Sequence, residues 1–110
     1  MKLWLDDERN PKDPKIQSEF GAYGDEVWVK DAHTAIRYLK QGNITDISLD
    51  HDLGSGAGDG IDVAKWIEEQ AYHGLLPRLN WLIHSMNSVG RKNMSQALMN
   101  AEKYWDITQK

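Results

Sequence analysis

A chain of 110 residues with 40% hydrophobic residues and five tryptophans can bury the core of one ordinary domain, and that composition excludes disorder. Its formal charge of −4 excludes wrapping of duplex DNA by bulk electrostatics, but leaves room for a small phosphate held by one or two cations. The absence of cysteine excludes disulfides and thiolate metal sites. The run from Met1 to Leu5 is too short for a signal peptide, and no apolar run is long enough for a membrane span. The expectation is therefore a single cytoplasmic domain over residues 1–110, without a membrane partner.

In chain order, Lys2 to Leu5 is apolar and is stopped by Asp6, Asp7, Glu8 and Arg9, with Asn10 and Pro11 turning the chain away. This reads as a first strand with acids at its carboxyl end. Lys12 to Gly24 is polar and contains Pro14 and two glycines, which predicts a loop or a poorly formed helix. Glu26 to Val29 reads as a second strand. From Asp31 the period changes: Ala32, Ala35, Ile36 and Leu39 recur at helical spacing, Asp31 can cap, and Gly42 sits past the end. Asp46 to Leu49 is the third strand.

Asp50, His51 and Asp52 follow it and run into a glycine-rich stretch from Gly54 to Gly60, which lacks the lysine and spacing of a phosphate-binding P-loop. A helix from about Gly60 to Ala71 presents Ile61, Val63, Ala64, Trp66 and Ile67, with Asp59 in position to cap it. Asn80 to His84 is the fourth strand, again ending in polar residues, Ser85 and Asn87. A last helix covers about Val89 to Tyr104, with Met94, Ala97, Leu98 and Ala101 on one face. Residues 105–108 either extend it or form a short fifth strand.

Strands that alternate with helices imply an α/β fold, a doubly wound parallel sheet of four or five strands. In such sheets chemistry collects at the carboxyl ends of the strands, here Asp6 and Asp7, Asp50 to Asp52, and His84 with Ser85. Neighbouring strands lie about 4.8 Å apart, so these side chains can converge on one ligand. Asp6, Asp7 and Asp50 form a set of oxygen ligands suited to Mg²⁺ or another divalent cation. Histidine as a residue type titrates near neutrality, so His51 and His84 can act as general base and general acid at one phosphate, with Asp50 beside them. Ser85, Asn87 and Arg91 can bind phosphate oxygens; Asp52 and Arg9 are possible support, and Lys92 is better read as a solvated surface cation. His33 and His73 read as surface residues.

Leu5-Asp6-Asp7-Glu8, Leu49-Asp50, Asp59-Gly60 before a helix, and an apolar strand ending at Ser85 resemble the receiver domains of two-component signalling. The resemblance implies a flavodoxin-like three-layer sandwich, Mg²⁺ at the first acidic pair, phosphoryl acceptance at Asp50 and sensing at Ser85. The receiver lysine that follows a fifth strand has no good counterpart, Lys103 and Lys110 being poor substitutes. An ordinary receiver does not need His51, His84, or the run from His84 to Arg91. The stretches Leu5 to Pro11, Leu49 to Gly54 and Ile83 to Asn87 resemble the cyclic-phosphate processing receiver domains. That likeness implies action on RNA 2′,3′-cyclic ends or cyclic nucleotides. The leading expectation is a metal-assisted phosphoesterase opening a cyclic phosphate. Its rivals are a signalling module phosphorylated at Asp50 and a protein that binds a cyclic nucleotide without cleaving it.

Overall fold

Short apolar runs closed by polar stops build four strands, and the computed structural model describes them within residues 1–54, 56 and 58–108. Ser55 and Ala57 of the glycine-rich stretch, together with Gln109 and Lys110, lie outside the described residues. The strands are β1 (Lys2–Leu5), β2 (Val27–Val29), β3 (Asp46–Leu49) and β4 (Asn80–Ile83). They alternate with α1 (Pro14–Phe20), α2 (Ala32–Lys40), α3 (Gly60–Tyr72) and α4 (Ser88–Thr108). All pairings are parallel, in the order β2-β1-β3-β4.

Local chemistry accounts for the helix ends. The segment expected to be loose forms α1, because the Asp13 side chain accepts from the Lys15 backbone, Pro14 opens the first turn and Gly21 closes the last. Asp31 starts α2 by accepting from the Thr34 backbone at 2.7 Å. At α3 the Asp59 backbone donates to the Asp62 side chain at 2.9 Å, half of a capping box. The Asn87 side chain accepts from the Gly90 backbone at 2.9 Å and opens α4.

Residues 105–108 extend α4 and form no fifth strand, so the described sheet has four strands. Packing decides this: Trp105 is fully buried and its indole N–H donates to the Leu76 carbonyl at 2.8 Å. Burying a side chain of that size contributes about 3 kcal/mol, more than a four-residue edge strand would return.

Alternation along the strands divides the sheet. Leu3, Leu5, Ile47, Leu49 and Ile83 join the apolar faces of α2, α3 and α4 in one buried cluster. Register puts Trp28, Trp4, Ser48 and Leu82 in a row on the opposite face. Of the four described helices, only α1 is left for that face, and none of its residues is buried, so the sandwich is three-layered but lopsided. Among the described residues, no helix is long and apolar enough to cross a membrane.

Candidate active site at the strand ends

The ladder runs one residue past the strands and so fixes the site. Backbone bonds from Asp6 to Val29, Asp50 to Leu5, and His84 to Leu49, at 2.9–3.0 Å, set these three residues side by side. All three are buried.

Asp6 is the hub. One carboxylate oxygen accepts the backbone N–H groups of Glu8 and Arg9 at 2.9 Å each. The other accepts from the Arg9 guanidinium at 3.2 Å and lies 3.0 Å from Nε2 of His84. Its backbone carbonyl accepts from the Trp28 indole at 2.7 Å. Burial pushes the Asp6 carboxyl up, but the hydrogen bonds from His84, Arg9 and Glu8 outweigh it and hold the group at about 2.

His84, expected from sequence to act as a proton shuttle, is enclosed by its neighbours. Nδ1 lies 2.7 Å from the Ser48 hydroxyl and Nε2 contacts Asp6, so both ring nitrogens are engaged within the protein. The ring stacks on Trp4 at 3.9 Å between centroids, and Phe20 meets its edge at 6.4 Å. Only 4% of the residue is exposed. This geometry makes His84 a holder of Asp6.

Beside this hub lies a hollow of about 320 Å³ walled by Asp7, Arg9, Asp50, Asp52, Gly54 and Met86. Burial and then the charge of Asp6 push the Asp50 carboxyl up, against the pull of His84 and the His51 backbone N–H. Arg9 stands between the two acids, its guanidinium 3.2 Å from Asp6 and 3.7 Å from Asp50. Oxygens of Asp6, Asp7 and Asp50 all lie within 4.8 Å of one another. An all-oxygen set this crowded with negative charge fits a hard divalent cation, which would be held by those three carboxylates.

His51 is arranged differently from His84. Its Nδ1 lies 2.9 Å from Asp52, while its Nε2 has no hydrogen bond among the described residues. Asp52 lines the hollow and His51 stands behind it, against α4. The hydrogen bond from His51 holds the Asp52 carboxyl below its ordinary range. The Asn87 side-chain amide donates to the other Asp52 oxygen at 3.4 Å. Two glycines make room for this corner. A Cβ at Gly60 would lie 1.9 Å from the Asp50 carbonyl oxygen, and one at Gly90 would lie 2.5 Å from the His51 ring.

The residues expected to bind phosphate have other partners. The Ser85 hydroxyl accepts from the Asn87 backbone at 3.1 Å, and Asn87 itself caps α4. Arg91 donates to the carbonyls of Ile83 and Ser85, at 3.3 and 3.1 Å. None of the three lines the acidic hollow, whereas Arg9, the weaker candidate from sequence, does. His33, His73, Lys92 and Lys103 are exposed, and Lys110 lies outside the described residues.

The model of one protein family, the cyclic-phosphate processing receiver domain, matches residues 1–100 of the chain. This chain belongs to that family. No curated protein and no solved structure matches it. The receiver fold is thus present with its acids at the strand ends, as the sequence led one to expect. Sequence reasoning about this receiver domain missed Trp4, Phe20 and Ser48, which enclose His84. A signal for two of them existed. Trp4 and Ser48 stand two residues before Asp6 and Asp50, so strand alternation sets them on the same face. Nothing in the sequence distinguished Phe20, which arrives from α1.

Proposed function

We propose that this receiver domain opens a cyclic phosphodiester at the acidic hollow, with Asp6, Asp7 and Asp50 holding a divalent cation such as Mg²⁺. The observation that carries this reading is the Asp52–His51 pair on a hollow already walled by Asp7, Arg9 and Asp50. Phosphoryl acceptance by Asp50 alone would not need that pair. The family description supports the substrate class. When bound, the cation supplies charge that offsets the negative charge developing on phosphate oxygens.

The remaining work falls to side chains. Arg9 is fixed by Asp6 and faces the hollow, so its remaining donors orient the phosphate. Asp52, oriented by the hydrogen bond that His51 donates, takes a proton from the attacking water and later returns it to the leaving oxygen. The water oxygen bonds to phosphorus, the bond to one sugar oxygen breaks, and that oxygen receives the proton. The product is a phosphomonoester. In this reading His84 acts by keeping Asp6 in place.

Phosphorus NMR of the protein with 2′,3′- and 3′,5′-cyclic nucleotides, with Mg²⁺ and then with chelator, tests this reading. Expected is conversion of a cyclic phosphate to a monoester, lost on chelation. Arg9→Ala and His51→Ala should each lower turnover about 100-fold, the scale of a lost general acid–base or orienting group, and Arg91→Ala far less. Equal losses for Arg9→Ala and Arg91→Ala would move the phosphate away from the acidic hollow. A bound but unaltered nucleotide would make the domain a sequestering protein. Stable labelling of Asp50 by a small phosphodonor would make it a signalling receiver.

A further inference from the structure

The sheet face that α1 leaves thinly covered carries a second hollow, of about 240 Å³, walled by Glu19, Phe20, Leu82, His84, Met86 and Arg91. Its walls combine the apolar Phe20, Leu82, Ile83 and Met86 with Glu19 and Arg91, whereas the first is mainly acidic. Leu82 and Met86 expose 49% and 76% of their surface there, although nothing in their strand-end setting requires two such residues in water. The two hollows adjoin. Met86 walls both, and Arg9 of the first lies with its guanidinium 4.3 Å from the Phe20 ring of the second.

We propose that this second hollow receives the base of a nucleoside cyclic phosphate, an inference that rests on the reading of the acidic hollow as the phosphate site. A nucleotide carries its anion and its flat heterocycle on opposite sides of one ribose, which matches a charged hollow beside one walled in part by apolar side chains. Phe20, Leu82 and Met86 offer the stacking surface, which suits any base. The rim gives the choice among bases. Glu19 is exposed and can accept two adjacent N–H groups. Arg91 uses Nη1 on the carbonyls of Ile83 and Ser85 and makes no other hydrogen bond among the described residues. Guanine presents paired N–H donors on one edge and paired acceptors on the other, so it satisfies both residues, whereas uracil lacks the paired donors.

The same nucleoside cyclic phosphate exists free and as the end of an RNA strand. Asp7, Glu8 and Asp52 all border the acidic hollow, and the chain carries a formal charge of −4, so each further phosphate would be repelled. The ligand is therefore the free mononucleotide.

The test uses the intact protein with its four methionine methyl groups labelled with ¹³C, the Met86 signal being assigned by Met86→Leu. Guanosine 2′,3′-cyclic phosphate, the uridine analogue, base-free methyl riboside 2′,3′-cyclic phosphate and a trinucleotide ending in the same guanosine are titrated separately. Expected is a ring-current shift of the Met86 methyl with the guanosine compound, and binding about 10-fold tighter than that of the base-free sugar, the scale of one stacked base. Leu82→Ser should shrink that ratio. Equal binding of guanosine and base-free compounds, with the Met86 methyl unmoved, overturns the base hollow while cyclic-phosphate turnover can still stand. A Met86 shift without any turnover upholds the hollow and removes the hydrolase reading. Tighter binding of the trinucleotide overturns the choice of free nucleotide, and no response to any compound overturns the hollow itself.

Discussion

The two buried acids at the centre of the site are pushed in opposite directions by their different hydrogen-bond partners. Asp6 is held at about 2 because His84 and two backbone N–H groups stabilise its charge. Asp50, on the adjacent strand, is raised by burial and by Asp6 itself, with Arg9 at 3.7 Å as a partial counterweight. A carboxyl raised in the folded state favours folding while it is protonated and loses that advantage as pH climbs through its folded value. At neutral pH, Asp50 therefore strains the cation-free protein. Asp50→Asn should raise the melting midpoint at pH 7 by about 4 °C or more, the scale of 1 kcal/mol in a domain of this size. Mg²⁺ should raise the midpoint of the wild type and leave that of Asp50→Asn nearly unchanged. Scanning calorimetry of both proteins with and without Mg²⁺ decides it. A lower midpoint for Asp50→Asn would mean that its charge is satisfied within the protein.

At the scale of elements, the junctions matter more than the strands and helices they join. Gly60 lies where α3 starts against the end of β3, and Gly90 lies where α4 passes His51. The two should respond differently to the same added methyl group. In Gly60→Ala the methyl meets backbone that cannot step aside, so a loss of about 3 kcal/mol or more is expected in urea unfolding. In Gly90→Ala it meets the His51 side chain, at 2.5 Å from the ring and 2.9 Å from its Cβ, rather than backbone, so a smaller loss of stability is expected while His51 leaves Asp52 and turnover falls. Equal destabilisation of the two variants would contradict that distinction. Most elements themselves were legible in the sequence, since β1, β3, α2 and α3 each pair a clear hydrophobic period with a capping acid or a polar stop. The α1 segment was not, because both of its ends are fixed by local hydrogen bonds while its period is weak. Strand ends likewise announced Asp6, Asp50 and His84 as neighbours. They could not announce that His84 faces inward between Trp4 and Phe20, since ring orientation depends on contacts from β1 and α1. The sequence likewise could not announce that Arg9 rather than Arg91 lies against the acids, since that depends on a loop path.

Over the whole molecule, one buried charge ties together parts that the thinly covered sheet face would otherwise hold weakly. Through Asp6, β1 is joined to the loop at Glu8 and Arg9, to β4 by way of His84, and to β2 by its carbonyl and the Trp28 indole. The opposite face needs no such device, because α2, α3 and α4 bury it in one apolar cluster. Acid should therefore attack the molecule through Asp6. Its carboxyl lies at about 2 in the folded protein against an ordinary 3.8, so the unfolded chain takes up the proton first as pH falls. The stabilisation is complete above the ordinary value and is lost as pH drops through the folded one, between about pH 4 and pH 2. Integrated over that window, the link is worth roughly 2 kcal/mol. Asp6→Asn removes the titrating group and keeps the shape, so its stability should start lower at neutral pH and decline less across the same window. Urea midpoints of both proteins at closely spaced pH values measure the difference. Convergence of the two curves below about pH 3 is the expected result, and parallel curves throughout would locate the acid sensitivity elsewhere in the chain.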